Sequence, residues 1–318
     1  MIITLTKCPL CGGTAFRPLP VPVHWIGLEV FGPLKGKLGL SRCRSCGFTF
    51  TNPRPAPELL EQFYSGNTYS CHKPNTAASA VRVATYLLSL LDQPGQPKSP
   101  GKRLLDFGCG GGFLLRCARD LGWDASGFDP GEEARRACRE QGLPVFDSLE
   151  ALPKGGFDVV LLSHVLEHVE DFDGLFPVCR RILAPQGRLF IKSPNSASLR
   201  ARLSMPLLVK HAGFDERYRA FPIHLSYFTS DTRQRLLETH GFQVTMSSTS
   251  GMGLEEIILR PEPEPEYEEH ASPSASSPSP VRPARPSTTV QAAKTAVKNS
   301  FHRLKLGEYV LAIATPRA

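Results

Sequence analysis

Asp106, Gly108, Gly110 and Gly112 alternate through the segment Leu104-Leu105-Asp106-Phe107-Gly108-Cys109-Gly110-Gly111-Gly112-Phe113. An apolar run ending in an acid, a glycine cluster and a resumed helical pattern describe a strand, a tight turn and a helix. Glycines in such a turn let a ligand approach the backbone at the carboxyl end of the strand. Twenty-one residues beyond Gly108, a second apolar stretch ends in Asp129, placed to accept hydrogen bonds from ribose hydroxyls. Together these residues point to a nucleoside ligand. The chemistry around the loop is not that of a phosphate site. Phe113 stands where a dinucleotide fingerprint has its third glycine, and no basic residue lies between Asp106 and Phe113. A carboxylate at Asp106 would repel a pyrophosphate and suits a ligand that carries positive charge.

Sulfur and imidazole supply the other reactive groups. Cys8-Pro9-Leu10-Cys11 and Cys43-Arg44-Ser45-Cys46 are two Cys-x-x-Cys pairs, each followed at once by a glycine, Gly12 or Gly47. They offer the four soft ligands of a structural zinc site. A redox pair or two disulfides is the weaker alternative, since the first residues show no export signal and the chain is expected to be cytoplasmic and reduced. Cys117, Cys138 and Cys179 fall in helical stretches as small core-facing residues, and Cys109 borders the glycine loop. Ser163-His164-Val165-Leu166-Glu167-His168-Val169 sets two histidines four apart, which on a helix would share a face. Read as a metal-binding run, it lacks a third ligand. His164 and His224 are candidates for accepting a proton, balanced against buried structural roles; for His168 the structural role is favoured.

The elements that must position these groups follow from periodicity. From Arg103 onward strands and helices alternate, which argues a parallel sheet with helices on both faces. Strands are expected at 103–107, 124–129, 143–146, 157–163, 187–193, 242–249 and 307–314, with helices near 112–121, 131–141, 173–183 and 229–240. Upstream, residues 1–52 form the cysteine module, and 53–100 a linker with helical segments at 57–64 and 77–91. Residues 101–260 form the main domain, and 301–318 return with a final strand. Between them 261–300, rich in Pro, Glu and Ser, cannot bury enough apolar surface to offset its ordering entropy and is expected to be a mostly disordered insertion.

The Asp106-x-Gly108-x-Gly110 loop, Asp129 and the Ser163–Val169 motif, in that order, resemble the class I S-adenosylmethionine-dependent methyltransferases. The resemblance covers about residues 101–260 and the last ten. It implies a doubly wound seven-stranded α/β sheet whose last strand runs antiparallel, here with a small N-terminal zinc-ribbon-like module. It also implies that Gly108, Gly110 and Gly112 close over S-adenosylmethionine and that Asp106 fixes the loop and the amino-acid portion. Asp129 would take the ribose hydroxyls, Asp147 the adenine amino group, and Ser163 would border the cofactor. Asp147 also reads as a helix cap for 148–152. The basic stretch 195–221 occupies the place of an acceptor-covering insert.

Composition is compatible with this reading. A chain of 318 residues with 41% hydrophobic content has no apolar run long enough for a membrane span, and its net charge of +7 is scattered. The expected activity is methyl transfer to a small polar metabolite such as a sugar or nucleotide-sugar. An RNA methyltransferase using the cysteine module to hold RNA, or a non-catalytic zinc-bearing protein, are the alternatives. Nucleic acid is the less favoured partner because Arg42 and Arg44 stand nearly alone on the module. A histidine base predicts a rate that falls as pH drops through about 6.5.

Overall fold

A computed structural model describes residues 2–21, 25–65, 103–198, 201, 220–250 and 304–317. The N-terminal region comprises strands β1 (Ile2–Ile3) and β2 (Phe16–Leu19), a short helix α1 (Leu28–Phe31), strands β3 (Leu40–Cys43), β4 (Thr49–Thr51) and β5 (Arg54–Pro55), and helix α2 (Pro57–Ser65). Beyond it come β6 (Arg103–Phe107), α3 (Phe113–Asp120), β7 (Asp124–Phe128), α4 (Glu132–Glu140), β8 (Val145–Phe146) and β9 (Phe157–Ser163). A single 3-10 turn at Leu166–His168 leads to α5 (Phe172–Ile182), β10 (Leu183–Pro194), β11 (Ser226–Tyr227), α6 (Ser230–Thr239), β12 (Phe242–Ser250) and β13 (Tyr309–Pro316). The expected helix at 77–91, the 261–300 insertion and most of the basic stretch lie outside the described residues.

Seven strands form one sheet in the order β12-β13-β10-β9-β6-β7-β8. Neighbours run parallel except β13, which is antiparallel to both β10 and β12. All seven expected strands are present. The third is shorter than expected, because Pro144 has no N–H and contributes only its carbonyl, which accepts from Gly127 N at 2.8 Å.

Period-two alternation explains why both sheet faces are covered. Leu105, Val160, Leu162, Ile191 and Ala312 point to one apolar cluster with Phe172, Phe176, Leu236 and Leu237 of α5 and α6. Their immediate neighbours Leu104, Val159, Leu161, Phe190 and Leu311 point to another with Leu115, Ala118 and Cys138 of α3 and α4. The strand order reverses at β6, so the loops after β6 and β9 open side by side at the carboxyl edge. That is where open α/β sheets bind ligands.

The N-terminal region does not stand apart. β2, β3 and β4 form an antiparallel sheet whose fourth strand is β11, from beyond β10 of the main sheet. Cys8, Leu10, Cys43, Phe48 and Phe50 belong to the same apolar cluster as α5 and α6, and the Phe48 ring lies 5.3 Å from Phe228. Phe31, Leu60 and Phe63 pack on Ala220, Ile223 and Leu225. The sheet of the cysteine module thus crosses the boundary expected at residue 52. No helix among the described residues is long and apolar enough to cross a membrane.

One buried charge strains this core. Arg233 of α6 is fully buried; its Nη2 donates to the Leu311 carbonyl at 2.7 Å and to Ser247 Oγ at 3.1 Å, while Nε and Nη1 have no acceptor among the described residues. Burial lowers the guanidinium to about 9. Arg233→Met keeps the stem's packing without the desolvated cation. It should leave stability unchanged or raise it by about 1–4 kcal/mol, read from urea unfolding; a loss of more than about 1 kcal/mol would show that the two hydrogen bonds outweigh desolvation.

Candidate active site

The glycine loop sits where β6 ends and α3 begins. Gly108 N and Cys109 N both donate to the Phe128 carbonyl, at 2.7 and 3.1 Å, which ties the loop to the end of β7. Two of its glycines are required by close approach. Both have positive φ; a Cβ on Gly108 would meet Val165 at 2.6 Å, and one on Gly112 would meet Leu143 at 2.5 Å. Among the described residues nothing lies within 4 Å of a Cβ built on Gly110, so they leave this side of the loop open.

Two carboxylates flank that space differently. Asp129 is half-buried; Oδ2 accepts from Gly110 N at 2.9 Å and Oδ1 from Gly131 N at 2.8 Å. Each oxygen keeps a second lone pair for a hydroxyl donor. Asp106 is 3% exposed, and its carboxylate has no hydrogen-bond partner among the described residues. Burial, with the nearby Asp129 carboxylate adding to it, pushes Asp106 up to about 7. A buried, unpartnered carboxyl beside an open loop fits a ligand that brings an ammonium or sulfonium group. The structure does not bring Asp147 into this group: it is exposed and ion-paired with Arg139. Nor does it cap the next turn, where Ser148 Oγ instead accepts from Ala151 N at 3.3 Å.

The loop after β9 carries the imidazoles. Ser163 ends that strand opposite Lys192 of β10, and His164 N donates to the Lys192 carbonyl at 2.9 Å. His164 adopts a left-handed backbone, φ 59°, and only one 3-10 turn follows. The expectation of a shared helical face for His164 and His168 is therefore corrected: the left-handed residue turns the chain before any helix can form. His164 is exposed, while His168 packs inward. Glu167 lies between them, 1% exposed, with Oε1 3.2 Å from His164 Nδ1 and Oε2 without a partner among the described residues. Burial alone would raise this carboxylate, but the His164 hydrogen bond and the surrounding imidazoles hold it down to about 2.

His224 reaches the same point from the other side. Its ring centroid is 4.7 Å from that of His168, edge to face. His168 Nδ1 lies 2.8 Å from Tyr64 Oη and 3.1 Å from the Ile223 carbonyl. The carbonyl contact needs a hydrogen on Nδ1, whereas the Tyr64 hydroxyl can also donate to a bare Nδ1, so the tautomer decides which bond forms. Glu167, His168 and His224 offer ligand atoms within 4.8 Å of one another, which supplies the third group that the sequence motif lacked. Burial, with neighbouring imidazoles adding to it, pushes His224 down to about 3. Its imidazole is thus neutral at physiological pH, and the expected acid limb near 6.5 does not apply to it.

Lys192 completes the group and was not anticipated. It is 9% exposed, its Nζ lies 4.3 Å from the centre of the Tyr309 ring, and burial lowers it to about 8 against the pull of Glu167. The signal was present: a lysine inside Leu189-Phe190-Ile191-Lys192-Ser193 interrupts an otherwise apolar central strand.

At the far end of the N-terminal sheet the four cysteines converge. Cys8 and Cys46 sulfurs lie 3.7 Å apart, and those of Cys11 and Cys43 3.6 Å. The two knuckles match: Gly12 N donates to the Cys8 carbonyl at 2.9 Å and Gly47 N to the Cys43 carbonyl at 3.0 Å. Burial would raise the Cys43 thiol, but the backbone amides of Cys46 and Ser45 outweigh it and lower the thiol to about 7. Four sulfurs on tetrahedral zinc at about 2.3 Å would stand about 3.8 Å apart. The donor set therefore fits that metal.

A methyltransferase-domain family model matches residues 80–247, just over half of the chain. The chain belongs to that family. Among curated relatives, the mitochondrial ubiquinone biosynthesis O-methyltransferase of Bos taurus is 36% identical over 134 residues, 38% of this chain and 36% of the relative. Ubiquinone biosynthesis O-methyltransferase of Sinorhizobium fredii is 35% identical over 147 residues, 42% of this chain and 59% of the relative. The chain thus spans only about a third to three fifths of these relatives. A solved S-adenosylmethionine-dependent methyltransferase from Archaeoglobus fulgidus aligns with 75% of this chain and 94% of its own, at 20% identity and a TM-score of 0.46.

Proposed function

We propose that the chain transfers a methyl group from S-adenosylmethionine to a hydroxyl oxygen of a small polar molecule. The observation that carries this reading is the buried His224 imidazole beside the buried Glu167 carboxylate and His168, their ligand atoms within 4.8 Å of one another at the carboxyl edge of β9 and β10. A hydroxyl acceptor must release a proton as its oxygen attacks, and a neutral imidazole can take it. Glu167 then stabilises the imidazolium that forms. The O-methyltransferase names of the Bos taurus and Sinorhizobium fredii relatives agree with an oxygen acceptor. Asp106, Gly108, Gly110, Gly112, Asp129 and Ser163 line the donor side, with Asp129 facing the ribose hydroxyls and Asp106 the cationic amino-acid end. When bound, the donor supplies a sulfonium methyl. The protein's part is to hold the acceptor in line with it and to receive the proton. His224 and His164 are the catalytic candidates, with Lys192 placed to orient an acceptor by charge. Incubation with methyl-labelled donor and a panel of sugars, nucleotide-sugars and phenols tests the reading. Label on an acceptor oxygen supports it; label on nitrogen or carbon overturns it.

The second part of the proposal is one structural zinc per chain on Cys8, Cys11, Cys43 and Cys46. It would cross-link the two knuckles and take no part in the chemistry. Cys43→Ser should release the metal, seen as a fall from one zinc equivalent to near zero by elemental analysis. Because Cys43 and Phe48 share a core with α5 and α6, the loss should also lower the unfolding midpoint of the whole chain, rather than melt the first fifty residues alone. Protein purified under reducing conditions with no zinc would refute the assignment.

A further inference from the structure

The cysteine knuckles and the imidazole cluster lie at opposite ends of one short strand. Cys43 ends β3, and Cys46 closes the turn that enters β4 at Thr49. Cys43 N donates to the Phe48 carbonyl at 2.9 Å, and β4 then pairs with β3 on one side and β11 on the other. At the other end of β4 stands Thr51, fully buried. Its Oγ1 donates to the His224 carbonyl at 2.7 Å, and its N–H donates to the Leu225 carbonyl at 3.0 Å. Leu225 N in turn donates to the Glu167 carbonyl at 2.7 Å. The peptide at 224–225 is thus held between β4 and the loop that carries Glu167 and His168.

We propose that the cysteine module is a positioning element of the acceptor site. Thr51 is its last link, so the state of the four sulfurs sets where the His224 imidazole stands. The inference rests on the reading above that assigns His224 to the acceptor. It goes beyond that reading by giving the module a task at the site. Three observations support it over a merely attached module. Thr51 spends both its backbone donor and its side-chain donor on 224–225. Only four residues, Gly47 to Phe50, separate it from Cys46. The covering residues Phe48 and Phe228 join the two regions in one core. A strand that is hydrogen-bonded on both edges transmits displacement, because its register cannot slip without turning every side chain to the opposite face.

The test of the coupling uses the full chain and needs no acceptor; only the separate check of the acceptor assignment does. Histidine labelled with carbon-13 at Cε1 gives a resonance for His224, assigned by its absence in His224→Gln. Thr51→Val removes the hydroxyl and keeps the shape; Thr51→Ser keeps the hydroxyl. Thr51→Val should shift the His224 resonance and raise amide hydrogen exchange in 220–228 by about tenfold or more, the loss of roughly one hydrogen bond's worth of local stability. Exchange in 103–112 and the affinity for S-adenosylmethionine should stay near wild type. Thr51→Ser should restore the wild-type resonance. Stripping the metal with a chelator under reducing conditions should reproduce the Thr51→Val pattern. An unmoved His224 resonance and unchanged 220–228 exchange, in both the Thr51→Val and the stripped protein, would overturn the proposal. If the purified protein holds no zinc, the metal reading fails by elemental analysis. The Thr51 pair then decides the coupling alone. If the coupling holds but His224→Ala leaves methyl transfer intact, the acceptor assignment fails instead.

Discussion

Asp106→Asn should weaken S-adenosylmethionine binding at pH 8 by roughly 10- to 150-fold, the worth of about 1.5–3 kcal/mol for a hydrogen bond to a charged group. The same variant should be more stable than wild type without the donor. Both results follow from one group. The folded-state value of Asp106 is about 7, far above its ordinary 3.8, because burial and the Asp129 carboxylate disfavour the charge. Between about pH 4 and pH 7 the folded chain holds a proton that the unfolded chain has released. Stability of the donor-free protein therefore falls as pH rises through that window. Above it, the whole penalty of a buried, unpartnered charge is present, and asparagine removes it. A cationic donor binds the ionised form, so wild-type affinity should rise from pH 6 to pH 8 while the Asp106→Asn protein shows a flat profile. Calorimetric titration at the two pH values decides the matter. Equal wild-type affinity at both would mean that Asp106 does not face the donor's positive charge.

His224→Ala should lower turnover by about 10²–10⁴-fold, the usual contribution of a general base, with donor affinity unchanged. The pH dependence separates this role from others. Burial, with the neighbouring imidazoles adding to it, takes His224 down to about 3, so the ring is unprotonated throughout the physiological range and its protonation state does not limit the rate there. With donor saturating at every pH, so that the Asp106 effect on affinity drops out, the wild-type rate should be level from pH 8 down to about pH 5. A rate that drops by half near 6.5 would transfer the base role away from His224. Steady-state rates with any acceptor that takes label, in buffers of constant ionic strength, give the answer.

The site proposed for the donor was legible in the sequence because its groups are local. Leu104 to Phe113 encodes strand, turn and helix within ten residues, and period-two runs located each strand of the sheet to within a few positions. Pro144 shows the limit of that logic: apolar residues continue the pattern, but a missing N–H shortens the strand. The acceptor half was legible only as separate residues. His168 meets Tyr64 across 104 positions, and Thr51 meets His224 across 173. No periodicity links such partners; burial brings them together after the sheet has formed. Glu167 read as a neighbour of two histidines, whereas its depth and its orphan oxygen make it the centre of the group. The left-handed His164 was hidden for the opposite reason, since nothing in its side chain demands that backbone. The pairing of β4 with β11 was equally invisible, because strands of two or three residues carry no pattern of their own.

The placement of β13 has a consequence for biosynthesis. It lies between β10 and β12, yet residues 251–308 separate it from β12 in the chain. At about 5–20 residues per second, the ribosome spends roughly 3–12 s on that interval. Until β13 emerges, β12 has no strand to join and β10 keeps one edge of backbone N–H and C=O groups bare. Such an edge is a template for pairing with another nascent chain. Yield in cells should therefore depend on holdase chaperones more than the finished fold's stability would suggest. A faster-translated or shortened 251–308 segment should relieve that dependence.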